Sequence, residues 1–131
     1  MNFLLDTHAF IWFMEDNTFL SRKAKEAIEN PENYISISVA SLFEIAIKLK
    51  SKKIGFDKPV SDFFSDIAEY NITLLPISEK HLIAYDTIPL LSTHKDPFDR
   101  LIIATALVDK LSLISIDKQF DKYKEFIPIF W

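Results

Sequence analysis

"NFLLDTH", residues 2–8, sets Phe3, Leu4 and Leu5 directly before Asp6. A short apolar run followed by a break reads as a buried strand, here Asn2–Leu5. A carboxylate at the end of such a run is costly unless its surroundings compensate it. The fold, and whatever compensates Asp6, must be sought in the rest of the chain.

Short apolar runs alternate with longer helical patterns, which predicts βαβ units and a mainly parallel sheet. A helix is expected from Thr7 to Met14 and another over Ser21–Asn30, with Ser21 as N-cap and Asn30-Pro31 as the stop. "YISIS" (34–38) reads as the second strand. "VASLFEIAIKLKSKK" (39–53) reads as a helix with Leu42, Ile45, Ala46 and Leu49 on one face, lysines in its last turns, and Gly55 as its stop. A helix over Val60–Tyr70, a strand over Ile72–Pro76 and a helix over Glu79–Tyr85, capped by Ser78, follow. "DPFDRLIIATALVDK" (96–110) is apolar on nearly every side and predicts a deeply buried helix. "LSLISI" (111–116) is the fourth strand, ended by Asp117. A short helix and a last strand near Phe126–Phe130 complete the pattern. The expected architecture is an α/β/α sandwich around a roughly five-stranded sheet, as one domain over residues 1–131.

The chain has no cysteine, so disulfides and thiolate metal sites are excluded. Asp6 and His8 interrupt the first apolar run, which does not read as a signal peptide, and no run is long enough for a membrane helix. A soluble cytoplasmic protein is expected. The net charge of −4 does not favour nucleic acid, yet it does not exclude a nuclease whose acids are concentrated in one metal site.

Of the 19 acids, four sit where a solvated helix face does not explain them. Asp6 follows strand one, Glu44 lies within an apolar helix, Asp99 begins another, and Asp117 follows strand four. Ligands of open α/β sheets bind outside the carboxyl ends of the strands, and all four acids are expected near that edge. Two carboxylates about 4 Å apart repel by about 4 kcal/mol at an effective dielectric of 20. A divalent cation relieves that repulsion, and all-oxygen ligands favour Mg²⁺ or Mn²⁺. Such an ion activates water and stabilises charge on a phosphoryl group. Each acid also has a structural explanation. Asp6 and Asp117 can cap the helices that follow them. Glu44 can pair with Lys48 at i+4, although Ser41, Glu44 and Lys48 make a narrow polar stripe on an otherwise apolar helix. In "DPFD", Asp96 reads as N-cap, Pro97 as N1 and Asp99 as N3.

"LLDTH", "SLFEIAIK", "HKDPFDRLIIATA" and "LISIDKQF" occur in the order and spacing of PIN-domain proteins, and the chain most resembles the VapC-type toxins of bacterial toxin–antitoxin pairs. The resemblance implies a Mg²⁺- or Mn²⁺-dependent endoribonuclease. It places the acids of the site on Asp6, Glu44, Asp99 and Asp117, with Asp6 and Asp99 the principal metal ligands. Thr7 and Ser115 match its accompanying hydroxyl residues, and Asp96 is a cap beside the site. It also implies an antitoxin partner and a homodimer. The mechanism that follows is in-line attack on an RNA phosphodiester by a metal-activated water, leaving a 5′-phosphate and a 3′-hydroxyl.

Lys48, Lys50, Lys52 and Lys53, and Arg22, Lys23 and Lys25, are two basic runs that either hold RNA phosphates or solvate helix ends. "FIWFM" (10–14) is expected to be mainly core, with a partner surface as the other reading. His8, His81 and His94 are scattered and read as surface or cap residues. Competing functions are weaker. A haloacid-dehalogenase-type phosphatase needs an Asp two residues after the first, where His8 stands. A response-regulator receiver needs adjacent acids after strand one, and "LLDTH" has none. Another metal-dependent nuclease and a non-catalytic interaction domain, with the acids as caps, are the remaining alternatives.

Overall fold

The computed structural model describes residues 1–89 and 96–131, so His94 lies outside the described residues. Among these residues are five strands, β1 (Asn2–Leu5), β2 (Tyr34–Ser38), β3 (Thr73–Leu75), β4 (Ser112–Ile114) and β5 (Ile129–Phe130). They form one parallel sheet in the order β3-β2-β1-β4-β5. The connecting helices are α1 (Thr7–Glu15), α2 (Arg22–Glu29), α3 (Val39–Lys50), α4 (Val60–Glu69), α5 (Glu79–Thr87) and α6 (Pro97–Asp109), and a 3₁₀ helix spans Lys118–Tyr123.

The central strand β1 must present apolar groups to both faces, because helices cover a parallel sheet on both sides. Its alternation does this. Phe3 and Leu5 point into one core with Ile35, Ile37 and Ile114, against Phe10 of α1, Ile45 of α3 and Phe63 of α4. Leu4 points into the other with Leu113, against Ile102 and Ile103 of α6 and the 3₁₀ residues Phe120 and Tyr123. The result is the three-layer sandwich expected. α6 is buried along most of its length, from Arg100 through Ile102–Ala106. In "FIWFM", Phe10 and Ile11 are core, while Trp12, Phe13 and Met14 pack at its margin. No helix among the described residues is long and apolar enough to cross a membrane.

The strand order reverses between β1 and β4. β2 and β3 lie to one side of β1, and β4 and β5 to the other. The crevice outside the carboxyl ends of β1 and β4 is therefore the topological switch point. Asp6 is the residue after β1, and Asp117 lies three residues past β4.

One helix stop differs from the expectation. α3 ends at Lys50, and the left-handed residue beyond it is Lys52, at φ 57°, rather than Gly55. In a chain with a single glycine, other residues take this conformation: Asp16 after α1, Asn71 after α4 and Lys110 after α6. Gly55 has no positive φ, and a Cβ built on it meets no atom within 4 Å. Gly55→Ala is therefore expected to stabilise the protein by about 0.4–1 kcal/mol, through a less flexible unfolded chain. Urea unfolding measures this, and a loss of about 1 kcal/mol would restore Gly55 as a required left-handed stop.

Candidate active site at the carboxyl edge of the sheet

Asp6 ends the apolar run of β1 with only 4% of its surface exposed. Its Oδ1 accepts the Ala9 N–H at 2.7 Å, so it caps α1 as the structural reading proposed. That cap does not neutralise a buried charge. Burial pushes the carboxyl up to about 7, outweighing the Ser115 hydroxyl and the Ala9 N–H, which hold it down. The charges of Asp99 and Asp117 push it up further, so the fold brings these three acids within electrostatic reach of one another.

Ser115 is buried beside Asp6. Its hydroxyl bonds the Asp6 carboxyl and accepts the Asp117 N–H at 3.0 Å. It thereby couples the end of β1 to the turn after β4. Asp117 in turn caps the 3₁₀ helix, with Oδ1 accepting from Gln119 N–H at 2.9 Å. Asp96 is the N-cap of α6, its Oδ1 accepting from Phe98 N–H (2.9 Å) and Asp99 N–H (3.1 Å). Asp96 is exposed, whereas Asp99 in the first turn is half-buried.

Glu44 joins this group through Thr7. The buried Thr7 hydroxyl donates to Glu44 Oε1 at 2.7 Å and lies 3.0 Å from Ser41 Oγ. The other carboxylate oxygen, Oε2, meets Lys48 Nζ at 3.2 Å. The i+4 pair and the inward-facing acid are thus the same residue. The rings of Phe43 and Phe98, neighbours of Glu44 and Asp99, meet edge to face at 5.8 Å and tie α3 to the first turn of α6.

The oxygen donors suit a hard cation, and the raised pKa of buried Asp6 marks a carboxylate short of positive charge. Among the described residues, no three His, Asp or Glu side chains stand close enough together to share an ion.

The basic runs divide. Lys48 is paired with Glu44, while Lys50 and Lys52 are exposed. In the other run, Arg22 pairs with Glu26 at 3.1 Å, Lys25 pairs with Asp16 at 2.8 Å, and Lys23 lies over the Phe130 ring. His8 is exposed against Trp12. His81 is a cap but not a surface residue. It closes the capping box of α5, and its Nε2 lies 3.0 Å from Asp109. The residue that sequence reasoning passed over is Arg100, a lone cation inside an apolar helix and buried beside Asp99. Its isolation in "FDRLIIATA" is the signal that was available.

A doubly wound α/β sheet with acids gathered outside its switch point defines a class of ligand-binding and hydrolytic domains. Residues 3–125 match the PIN domain, and the chain belongs to that family. It is 28% identical over 127 residues to Ribonuclease VapC22 of Mycobacterium tuberculosis (strain ATCC 25618 / H37Rv), spanning 96% of this chain and 95% of that protein. Its fold is shared with a chain of VapBC2 from Rickettsia felis bound to a promoter DNA fragment (TM-score 0.72, 17% identity, 99% of this chain and 98% of the other). A chain of a toxin–antitoxin complex from Klebsiella pneumoniae is also similar (TM-score 0.64, 21% identity, 98% and 96%).

The raised pKa makes a stability prediction. Asp6 moves from 3.8 in the unfolded chain to about 7 on folding, so its proton favours the folded state. That contribution is complete below pH 3.8 and is lost as the pH rises through 7. At about 1.4 kcal/mol per pKa unit the loss is on the order of 4 kcal/mol. Asp6→Asn keeps an acceptor for Ala9 and carries no charge. In EDTA it is expected to exceed the wild type by about 2–4 kcal/mol at pH 8, with the gap closing toward pH 4. Urea unfolding across pH reads both, and a pH-independent gap would contradict the buried-charge account.

Proposed function

We propose that the chain is a Mg²⁺- or Mn²⁺-dependent endoribonuclease of VapC type, the toxin of a toxin–antitoxin pair, working in the cytoplasm with residues 1–131 as one domain. The observation that carries the reading is the buried, charge-deficient Asp6 at the switch point of a PIN fold, with Asp99 and Asp117 beside it. The similarity to a protein named as a ribonuclease supports the choice of RNA.

Asp6 and Asp99 are the principal metal ligands in this reading. Glu44 and Asp117 complete the donor set or orient water. Thr7 and Ser115 aim Glu44 and Asp6, as their hydrogen bonds do already. Asp96 sets the first turn of α6. A bound Mg²⁺ or Mn²⁺ supplies positive charge for the scissile phosphate and a water of lowered pKa. Asp6 contributes a carboxylate whose ionisation is costly until such a charge arrives, so proton release and metal uptake are coupled. Lys48 neutralises Glu44, and with Lys50 and Lys52 offers cations to RNA phosphates. The chain is expected to act without a membrane, to form a homodimer and to be covered by a cognate antitoxin. The toxin–antitoxin complexes that share its fold support that partner.

Calorimetric titration with Mn²⁺ tests the metal site without a guess at the substrate. Saturable binding by the wild type, weakened in both Asp6→Asn and Asp99→Asn, is expected. Each substitution is also expected to lower RNA cleavage by more than about 100-fold, beyond the 10–100-fold typical of groups that only orient a ligand. The cleaved RNA should carry 5′-phosphate and 3′-hydroxyl ends, with DNA of the same sequence left intact. Ends bearing 2′,3′-cyclic phosphate would refute hydrolysis by a metal-bound water.

A further inference from the structure

Arg100 follows Asp99 in the first turns of α6 and is only 4% exposed. Its guanidinium is directed at the end of another helix. Nη1 donates to Pro89 O at 2.9 Å, and Nη2 donates to Ile88 O at 2.9 Å and Tyr85 O at 3.3 Å. The group also lies over the Tyr85 ring, 4.8 Å from its centre. Ile88 is the C-cap of α5. One buried side chain thus gathers the outgoing carbonyls of α5, and its positive charge complements the negative end of that helix. The Nε atom is buried and has no hydrogen-bond partner among the described residues.

Stability alone is a poor explanation of this arrangement, because burying a cation is costly and an apolar side chain of similar size often serves a core as well. What the arrangement does secure is position. α5 and α6 run antiparallel, since His81 at the start of α5 meets Asp109 at the end of α6. Arg100 closes the opposite end of the pair, next to the acid edge. The planar fork fixes α6 in both rotation and distance relative to α5, which a lysine point charge does not do. Asp99, one residue away, inherits that placement.

We infer that Arg100 is the positioning residue for Asp99, holding the first turn of α6 so that this acid meets a divalent cation together with Asp6. The inference rests on the metal-site reading above. Mg²⁺ and Mn²⁺ demand near-ideal octahedral placement of their ligands, whereas Ca²⁺ accepts irregular geometry. A loosened Asp99 therefore penalises Mn²⁺ more than Ca²⁺.

The test is calorimetric titration of EDTA-treated protein with Mn²⁺ and with Ca²⁺, alongside thermal unfolding. Arg100→Lys keeps the charge and removes the fork. Asp109→Asn unhooks the distant end of the same helix pair and serves as the stability control. Arg100→Lys is expected to weaken Mn²⁺ about tenfold or more and Ca²⁺ by less than about threefold, at the scale seen for groups that orient ligands. Asp109→Asn should leave both affinities within about twofold. If Arg100→Lys does not fold, Tyr85→Leu, which removes the stacked ring, is expected to shift the same ratio in the same direction. Unchanged Mn²⁺ affinity in the folded Arg100 variant, or equal losses for both metals and in the Asp109 control, would overturn the positioning role. A wild type that binds no Mn²⁺ would instead overturn the metal-site reading itself.

Discussion

The Asp6 carboxyl is held at the end of the central strand, where its ionised form is costly and where it cannot move away without breaking the parallel sheet. Its backbone N–H bonds Ile114 O on β4 at 3.2 Å, and its carbonyl accepts from Phe10 N–H at 3.1 Å in the first turn of α1. The strand, the helix and the neighbouring strand all fix it. Its surroundings must therefore adapt to it: Ser115 and Ala9 provide hydrogen bonds, and these fall short of the burial cost. Burial therefore leaves the carboxyl with a raised pKa. A stable fold with no use for the charge would place Asn or Ser here, since either caps a helix as well.

Capping and metal binding are often treated as rival explanations of an acid, yet here they are compatible. A cap engages the carboxylate with a backbone N–H and so fixes the side chain's direction. Asp6, Asp96 and Asp117 all do this, and Thr7 fixes Glu44 in the same way through a side chain. The cap is then what preorganises the acid.

Features with local physical causes were legible in the sequence. Strand alternation, the N-caps Ser21, Ser78 and Asp96, and the apolar character of α6 all depend on neighbours within a few residues, and each stands in the structure. Asp6 was legible as a misplaced acid because a charge in an apolar run violates a local rule, and it is buried in the structure. Non-local features were not. The stop of α3 was assigned to Gly55 because glycine is the usual left-handed residue, but Lys52 takes that conformation. His81 read as scattered because its partner, Asp109, is 28 positions away. Arg100 was passed over for the same reason, its carbonyl partners lying 11 to 15 positions before it.

The charge balance of the site follows from these pairings rather than from the net charge of −4. On α2, Arg22 and Lys25 are met by Glu26 and Asp16, so that run presents little unpaired positive charge. On α3, Lys48 pairs with Glu44, and the exposed Lys50 lies beyond it. A helix rises 1.5 Å per residue, which puts Lys50 about 9 Å along the axis from Glu44. Helix α3 therefore carries an acid bonded to Thr7, the residue after Asp6, and, within two turns, a cation exposed to solvent. In the proposed reading, that sequence of charges would suit a polyanion whose reacting phosphate meets the acids while a neighbouring phosphate meets a lysine. A single small phosphate ester would have no use for the second charge. The same spacing would make the salt dependence of binding come from α3 rather than α2.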